Sequence, residues 1–185
     1  MDHGAEAYRR YLRGDDGGLA EIIRLYQEGL TRFLCSVTGD WPAAEELMEE
    51  VFFRLAVKKP KFKGKSSFQT WLYAIGRNAA LDDVRRRSRY AEKPVEDYPQ
   101  RASPEGEPEM AFLKEERNRI LYACIGRLRT EYRQALTLSY FEGLDNAGVA
   151  AVMKKNKRQV ENLLTRARAA LKKELEKEGI GHEDL

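Results

Sequence analysis

Residues 66–89 read SSFQTWLYAIGRNAALDDVRRRSR. Ser66 followed three residues later by Gln69 predicts a capping box, in which each side chain satisfies a backbone donor at a helix start. Phe68, Trp71, Leu72, Ile75 and Ala79 then recur at helical spacing and make one apolar face. Tyr73, Arg77, Leu81 and Val84 form a second, weaker stripe opposite. The predicted helix therefore has a packing partner on one side and an aromatic-basic surface on the other. It ends in Arg85, Arg86, Arg87 and Arg89, and Lys58, Lys59, Lys61, Lys63 and Lys65 precede it, set around Phe62. Cations hold phosphates and aromatic faces stack or pocket bases, so this mixture suits a nucleic-acid strand. A core helix with a solvated charged end is the plainer reading of the same residues.

The flanking sequence extends a helical pattern in both directions. Upstream, residues 5–13 suit a short helix closed by Gly14, and Asp16 is placed to cap the next. Leu19, Ile22, Ile23, Tyr26, Leu30, Phe33, Leu34 and Val37 give that second helix a steady apolar face, with Gly39 at its end. Pro42 fits the first turn of a third helix, with Asp40 as its cap. Ala44, Leu47, Met48, Val51, Phe52 and Leu55 face its core, and Glu45, Glu46, Glu49 and Glu50 form an acidic patch outside. Such a patch is either an ordinary solvated face or a docking surface for a basic partner.

Downstream of Arg89 the character changes. Pro94, Pro99, Pro104 and Pro108 stand among acids with little apolar content, which reads as a flexible linker. Helical pattern resumes with Phe112, Leu113, Ile120, Leu121, Cys124, Ile125 and Leu128. Thr130 is a candidate cap for a helix through Tyr132, Leu136, Leu138 and Tyr140, stopped by Gly143. Asp145 then caps a short helix with Val149, Ala150 and Val152 inward, and Asn156 a longer one whose buried face is Val160, Leu163, Leu164, Ala167 and Leu171. Two helices joined by a tight turn, the second carrying long polar side chains outward, make a helix-turn-helix. Between Lys154 and Lys173 there are eight cations against one acid, Glu161. The predicted fold is all-α, two small helical domains on a flexible linker, the second a winged-helix-like tetrahelical helix-turn-helix. The boundaries fall at 1–90, 91–108 and 109–185.

Composition narrows the function. Of the 185 residues 34% are charged, yet the formal net charge is only +3, so segregation of charge rather than its sum carries the information. No apolar run is long enough to span a membrane and no signal peptide is read, so a cytoplasmic protein without membrane insertion is expected. Cys35 and Cys124 sit in apolar helical patterns and are expected as buried thiols. His3 and His182 are the only histidines. With no His/Cys cluster, Gly-rich phosphate loop or nucleophile–base pair, no catalytic residue, metal or cofactor is expected, and the protein is not read as an enzyme.

In order along the chain, AEELMEEVFFRLA, SSFQTWLYAIGRNAALDDVRRR, a proline-rich linker and YRQALTLSYFEGLDNAGVAAVMKKNKRQVENLLTRARAALKKEL resemble the bacterial RNA polymerase sigma-70 family, in its small extracytoplasmic-function (ECF) group. The resemblance runs from about Leu19 to Leu175. Its most specific parts are F-x-x-W-L-x-x-I-x-R-N-x-x-L-D from Phe68 to Asp82 and R-A-R-x-A-L from Arg166 to Leu171.

The resemblance implies roles. Glu45, Glu46, Glu49, Glu50 and Arg54 match positions that bind the polymerase clamp. Lys61, Phe62, Lys63, Lys65 and Ser67 match a loop that pockets a flipped base of the melted minus-10 strand, and Trp71, Tyr73, Arg77 and Asn78 match the adjoining helix. Lys157, Arg158, Glu161, Asn162, Thr165, Arg166 and Arg168 lie on the helix that would read the minus-35 element. Implied partners are core RNA polymerase at its clamp and flap, promoter DNA and an anti-sigma factor. Glu161 and Leu163 stand where the family commonly has basic residues, Lys154 where it has a turn glycine, and Gly148 where it has a helix-favouring residue. Gly148 is expected to weaken its helix by about 1 kcal/mol. The alternative function is a helix-turn-helix regulator that never contacts core polymerase; a helical adaptor with solvated basic faces is a third.

Overall fold

The computed structural model describes residues 2–90 and 108–179. Among these the secondary structure is helical throughout: α1 His3–Leu12, α2 Asp16–Thr38, α3 Trp41–Lys58, α4 Phe68–Tyr90, α5 Pro108–Gly126, α6 Thr130–Leu136, a π-helical turn Thr137–Phe141, α7 Asn146–Met153 and α8 Lys157–Lys177. The predicted linker lies outside the described residues, apart from Pro108, which opens α5. No described helix is long and apolar enough to cross a membrane.

Helices α1 to α4 form the first half. Ile22, Leu30, Phe33 and Leu34 of α2 are fully buried against Leu55 of α3 and against Phe68 and Leu72 of α4. Each such side chain removed from water contributes about 1.5–3 kcal/mol. Gly39 ends α2 with φ 72°, the left-handed turn that glycine adopts without steric penalty, and its N–H donates to Cys35 O at 2.8 Å. Asp15, rather than Asp16, caps α2 by accepting from Gly17 N. Asp40 holds the cap position of α3 without a capping bond; its carboxylate lies 3.5 Å from Arg87 of α4 instead. Both cysteines are buried free thiols, and burial pushes Cys35 up to about 12.

The start of α4 departs from the predicted capping box. The Ser67 hydroxyl, not Ser66, accepts from Thr70 N at 3.1 Å. Gln69 does not fold back to the cap but donates to Glu142 O at 3.0 Å. The Phe68 N–H is taken by Asp2, whose other carboxylate oxygen caps α1 at Ala5 N. One carboxylate therefore serves two helix starts, each a positive dipole end that favours an anion.

Helices α5 to α8 form the second half. Val149 and Val152 of α7, Val160, Leu164 and Ala167 of α8, and Leu136 and Leu138 around α6 are buried together. Asp145 caps α7, and Asn156 caps α8 in a full capping box with Gln159. The turn between them passes through Lys154 at φ 54° and ψ 45°, a left-handed conformation that costs a non-glycine residue about 1 kcal/mol. Thr130 is the first helical residue of α6, one place later than its predicted capping role. The pattern through Tyr140 is not a continuation of α6, because the chain widens into the π turn there.

The two halves pack directly. Helix α4 lies against α7, and α2 against α6 and the π turn. Buried apolar residues of both halves form one continuous cluster. Gly148 explains itself here: a Cβ at that position would meet Thr70 Oγ1 of α4 at 3.2 Å and Leu144 at 3.3 Å. A side chain here would have to push these neighbours aside by a few tenths of an ångström, so glycine suits the close approach of α7 to α4.

Candidate nucleic-acid interface

Residues 59–67 form a braced loop ahead of α4. Lys59 leaves α3 in a left-handed conformation, and the Tyr8 hydroxyl donates to Pro60 O at 2.7 Å. Burial raises the Tyr8 pKa to about 12, so this donor keeps its proton throughout the neutral range. Phe62 packs edge-on to Phe68 at 5.6 Å between ring centroids and against Trp71 at 5.2 Å. Phe62 and Trp71 are thus half-buried members of an aromatic cluster with Tyr8 and Phe68, not free platforms. Gly64 turns the loop at φ 67°, and Lys61, Lys63, Lys65 and Ser67 are exposed along it. Three ammonium groups are therefore presented on a loop that aromatic packing holds in one place.

On α4 the residues divide. Asn78 is exposed, Arg77 is half-buried, and Tyr73 is 1% exposed. The Tyr73 hydroxyl donates to Glu142 Oε2 at 2.6 Å, and burial with that carboxylate raises its pKa. Arg77 Nε donates to the buried Gln134 Oε1 at 2.8 Å; burial lowers the arginine's pKa. Tyr73 and Arg77 are thus turned toward the second half of the chain, and neither is open to a strand in this arrangement. The helix ends in an ordered cation cluster. Buried Asp83 accepts from Arg86 at 2.6 Å, and Arg87 Nε lies 2.6 Å from its other oxygen, close as an ion pair but misaligned for a hydrogen bond.

On α3, Glu45, Glu46, Glu49 and Glu50 are all exposed, while Arg54 is half-buried and pairs with Glu50. Glu45 accepts from Trp41 Nε1 at 2.9 Å, and Glu46 lies 3.8 Å from Arg87. The sequence reading missed two neighbours. Phe53 and Val57 stand in solvent at 65% and 62% exposure, one and two turns beyond Glu49 and Glu50. With the glutamates they make a mixed apolar and acidic stripe along this face of α3. Their signal was available: both break an otherwise polar helix face.

On α8, Lys157, Arg158, Glu161, Asn162, Thr165, Arg166 and Arg168 are all exposed, opposite buried Val160, Leu163, Leu164 and Ala167. Thr165 donates to its own helix at Glu161 O. Arg168 is drawn back over the Tyr140 ring, 5.6 Å from the centroid, and donates to its hydroxyl. The first turns of α8 therefore project without cover, while its later cations are steadied from the flank.

The sequence comparisons divide the chain as the helices do. The model for sigma-70 region 2 matches residues 22–90, and that for sigma-70 region 4 matches residues 118–171. RNA polymerase sigma-H factor of Pseudomonas aeruginosa is 30% identical over 186 residues, covering 95% of each chain. ECF RNA polymerase sigma factor SigM of Bacillus subtilis is 29% identical, over 82% of this chain and 91% of its own. The fold is shared with the sigma factor RpoE of Bartonella quintana, solved with the anti-sigma factor NepR, at TM-score 0.71 and 20% identity over 85% of this chain and 96% of that one. CnrH, solved with the cytosolic domain of CnrY, aligns at TM-score 0.63 and 20% identity over 94% and 95%. Helix-turn-helix, aromatic-basic helix and these relatives together place the chain in the sigma-70 family of RNA polymerase sigma factors, in the extracytoplasmic-function group. A regulator that never meets core polymerase is not favoured, because region 2 spans most of the first half.

Proposed function

We propose that this sigma factor divides its work among the three surfaces described. The acidic stripe of α3, with Phe53 and Val57 among Glu46, Glu49, Glu50 and Arg54, docks on the polymerase clamp. Lys61, Lys63, Lys65 and Ser67 hold the backbone of the melted minus-10 strand, with Trp71, Tyr73, Arg77 and Asn78 beside it. Phe62 serves as the packed wall of that site. Unstacking a base costs a few kcal/mol, so a preformed loop with fixed cations favours a strand that is already open. The first turns of α8 read the minus-35 element: Arg158 suits a guanine, Asn162 an adenine, and Glu161 accepts from cytosine. Arg166 and Arg168 hold phosphates, which position the helix without specifying sequence.

The domains take the limits 1–90 and 109–185 with the linker between. The second half also meets the polymerase flap. An anti-sigma partner is supported by the sigma factor RpoE of Bartonella quintana, whose solved form is a complex with an anti-sigma factor. The protein works in the cytoplasm and carries no chemistry of its own; polymerase makes the bonds.

The uncovered N-terminal half of α8, with its buried face fixed by Val160 and Leu164, carries this reading. Promoter-dependent run-off transcription with added core polymerase tests it. The Glu46→Lys/Glu49→Lys double variant is expected to fold, since both sites are exposed, and to lose core binding. Normal core binding by that variant overturns the α3 assignment.

A further inference from the structure

Tyr140 stands in solvent at 58% exposure. Residues four apart share a helix face, so a regular continuation of α6 would carry Tyr140 in line with Leu136, which is 1% exposed. The π turn prevents this. Glu142 N–H donates to Thr137 O at 3.0 Å, five residues back rather than four, so the turn holds an extra residue and the side chains after it are rotated about the axis. Leu138 stays fully buried while Tyr140 is swung outward. Single π turns set into helices recur at functional sites.

A second, independent observation lies on α8. The Arg168 guanidinium sits 5.6 Å from the centre of the Tyr140 ring, and Arg168 Nε donates to the hydroxyl. The phenol oxygen is thus used as an acceptor, while its own proton meets no acceptor among the described residues. Among them no carboxylate pairs with Arg168 either, so its terminal nitrogens are open beside that proton. Glu161, Thr165 and Arg168 fall at i, i+4 and i+7, on one face of α8. Seven residues carry Arg168 about 10 Å along the axis from Glu161. The major groove is about 12 Å wide, so with Glu161 at a base edge the Arg168–Tyr140 pair stands where the sugar-phosphate backbone borders the groove.

We propose that Tyr140 is a further contact to duplex DNA: its hydroxyl, fixed by Arg168, donates its proton to a backbone phosphate that Arg168 also holds. The inference rests on the minus-35 reading of α8. A phenol suits the place because it is uncharged, so it adds a directed bond to the phosphate without adding to the ionic attraction. The arginine that donates to the phenol oxygen polarises its O–H and strengthens the bond given to an anion. Phosphate contacts set orientation rather than sequence preference. The pair therefore fixes how far the π turn stands from the DNA backbone, and with it how α8 lies in the groove.

The test uses the full chain and fluorescein-labelled 20-mer duplexes of randomised sequence, titrated at several salt concentrations. Tyr140→Phe keeps the ring and the cation over it and removes only the hydroxyl, at an exposed site where the fold does not depend on it. It is expected to weaken binding roughly 2- to 12-fold, the fold-change of one net hydrogen bond. The salt slope is expected to stay at the wild-type value, because no charge is lost. Arg168→Ala is expected to lower that slope by about 0.9. In the Arg168→Ala background Tyr140→Phe is still expected to cost about twofold or more, since the proton goes to the phosphate itself. Wild-type affinity in Tyr140→Phe, with Arg168→Ala weakened, overturns the inference and leaves the α8 reading standing. A Tyr140→Phe loss that lowers the salt slope, or that vanishes in the Arg168→Ala background, overturns the phosphate contact and leaves Tyr140 as a support for the arginine. Wild-type affinity and slope in both single variants overturn the phosphate-holding reading of α8, and the inference with it.

Discussion

On α8 all seven side chains expected to meet DNA stand in solvent, while on α4 Tyr73 and Arg77 lie beneath the other half of the chain. The α8 surface is locally made. A capping box fixes its start, and its buried face packs within one small helical unit. The α4 surface is made at long range. Its first N–H is capped by Asp2, its loop is braced by Tyr8, and its far side is held by Glu142 and Gln134. A duplex-reading helix needs only to project. On the proposed roles a strand-capturing site needs walls, and here the walls come from distant parts of the chain.

The difference can be attacked first at Phe68, fully buried where α1, α4 and the lysine loop meet. Phe68→Ala is expected to cost about 3–5 kcal/mol in urea denaturation and to loosen the loop. Single-strand binding should then fall more than duplex binding; equal losses would mean that the two surfaces are not independently built. Next come two substitutions on α8. Arg158→Ala is expected to cost about 1–3 kcal/mol on the preferred upstream element and to relax preference at one base pair. Arg168→Ala should weaken all duplexes alike, since Tyr140 holds that side chain to the flank. A panel of single-base variants at several salt concentrations separates the two.

Asn156→Ala removes the α8 cap and is expected to cost about 1 kcal/mol in thermal or urea melts. Its effect should appear in duplex binding and leave strand binding alone. Last, Lys63→Ala/Lys65→Ala should leave stability within about 0.5 kcal/mol, because both are exposed. It should lower the salt slope of single-strand binding by about 1.4, roughly 0.7 per lost phosphate contact. A slope unchanged within error would remove the loop from the strand's path.

What the sequence made legible follows the same division. Helical periodicity placed Val160, Leu164 and Ala167 inward and Arg158, Asn162 and Thr165 outward, because burial there is decided by neighbours close in the chain. Asn156 and Asp145 read correctly as caps for the same reason. At α4 the pattern S-x-x-Q pointed to Ser66 and Gln69, but the cap is Ser67 and Gln69 bonds Glu142. A local motif carries no trace of a partner 73 residues away. Tyr73 likewise read as the weaker face of α4; periodicity separates two faces but does not say what covers the second. The π turn had no signal at all, since it makes sense only once Glu142 is in place.

Asp2 has a consequence in time. Its bond to Phe68 N spans 66 residues. A ribosome adds about 5–20 residues per second, so Asp2 emerges roughly 3–13 s before its second partner is made. Through that interval α1 has its own cap and no α4 to pack on. Tyr8, whose ring lies 5.4 Å from Phe68 and 5.5 Å from Trp71, is left without these two neighbours for as long. Helix α1 can settle on α2 at once, but its Tyr8 face and the second oxygen of Asp2 wait for residue 68.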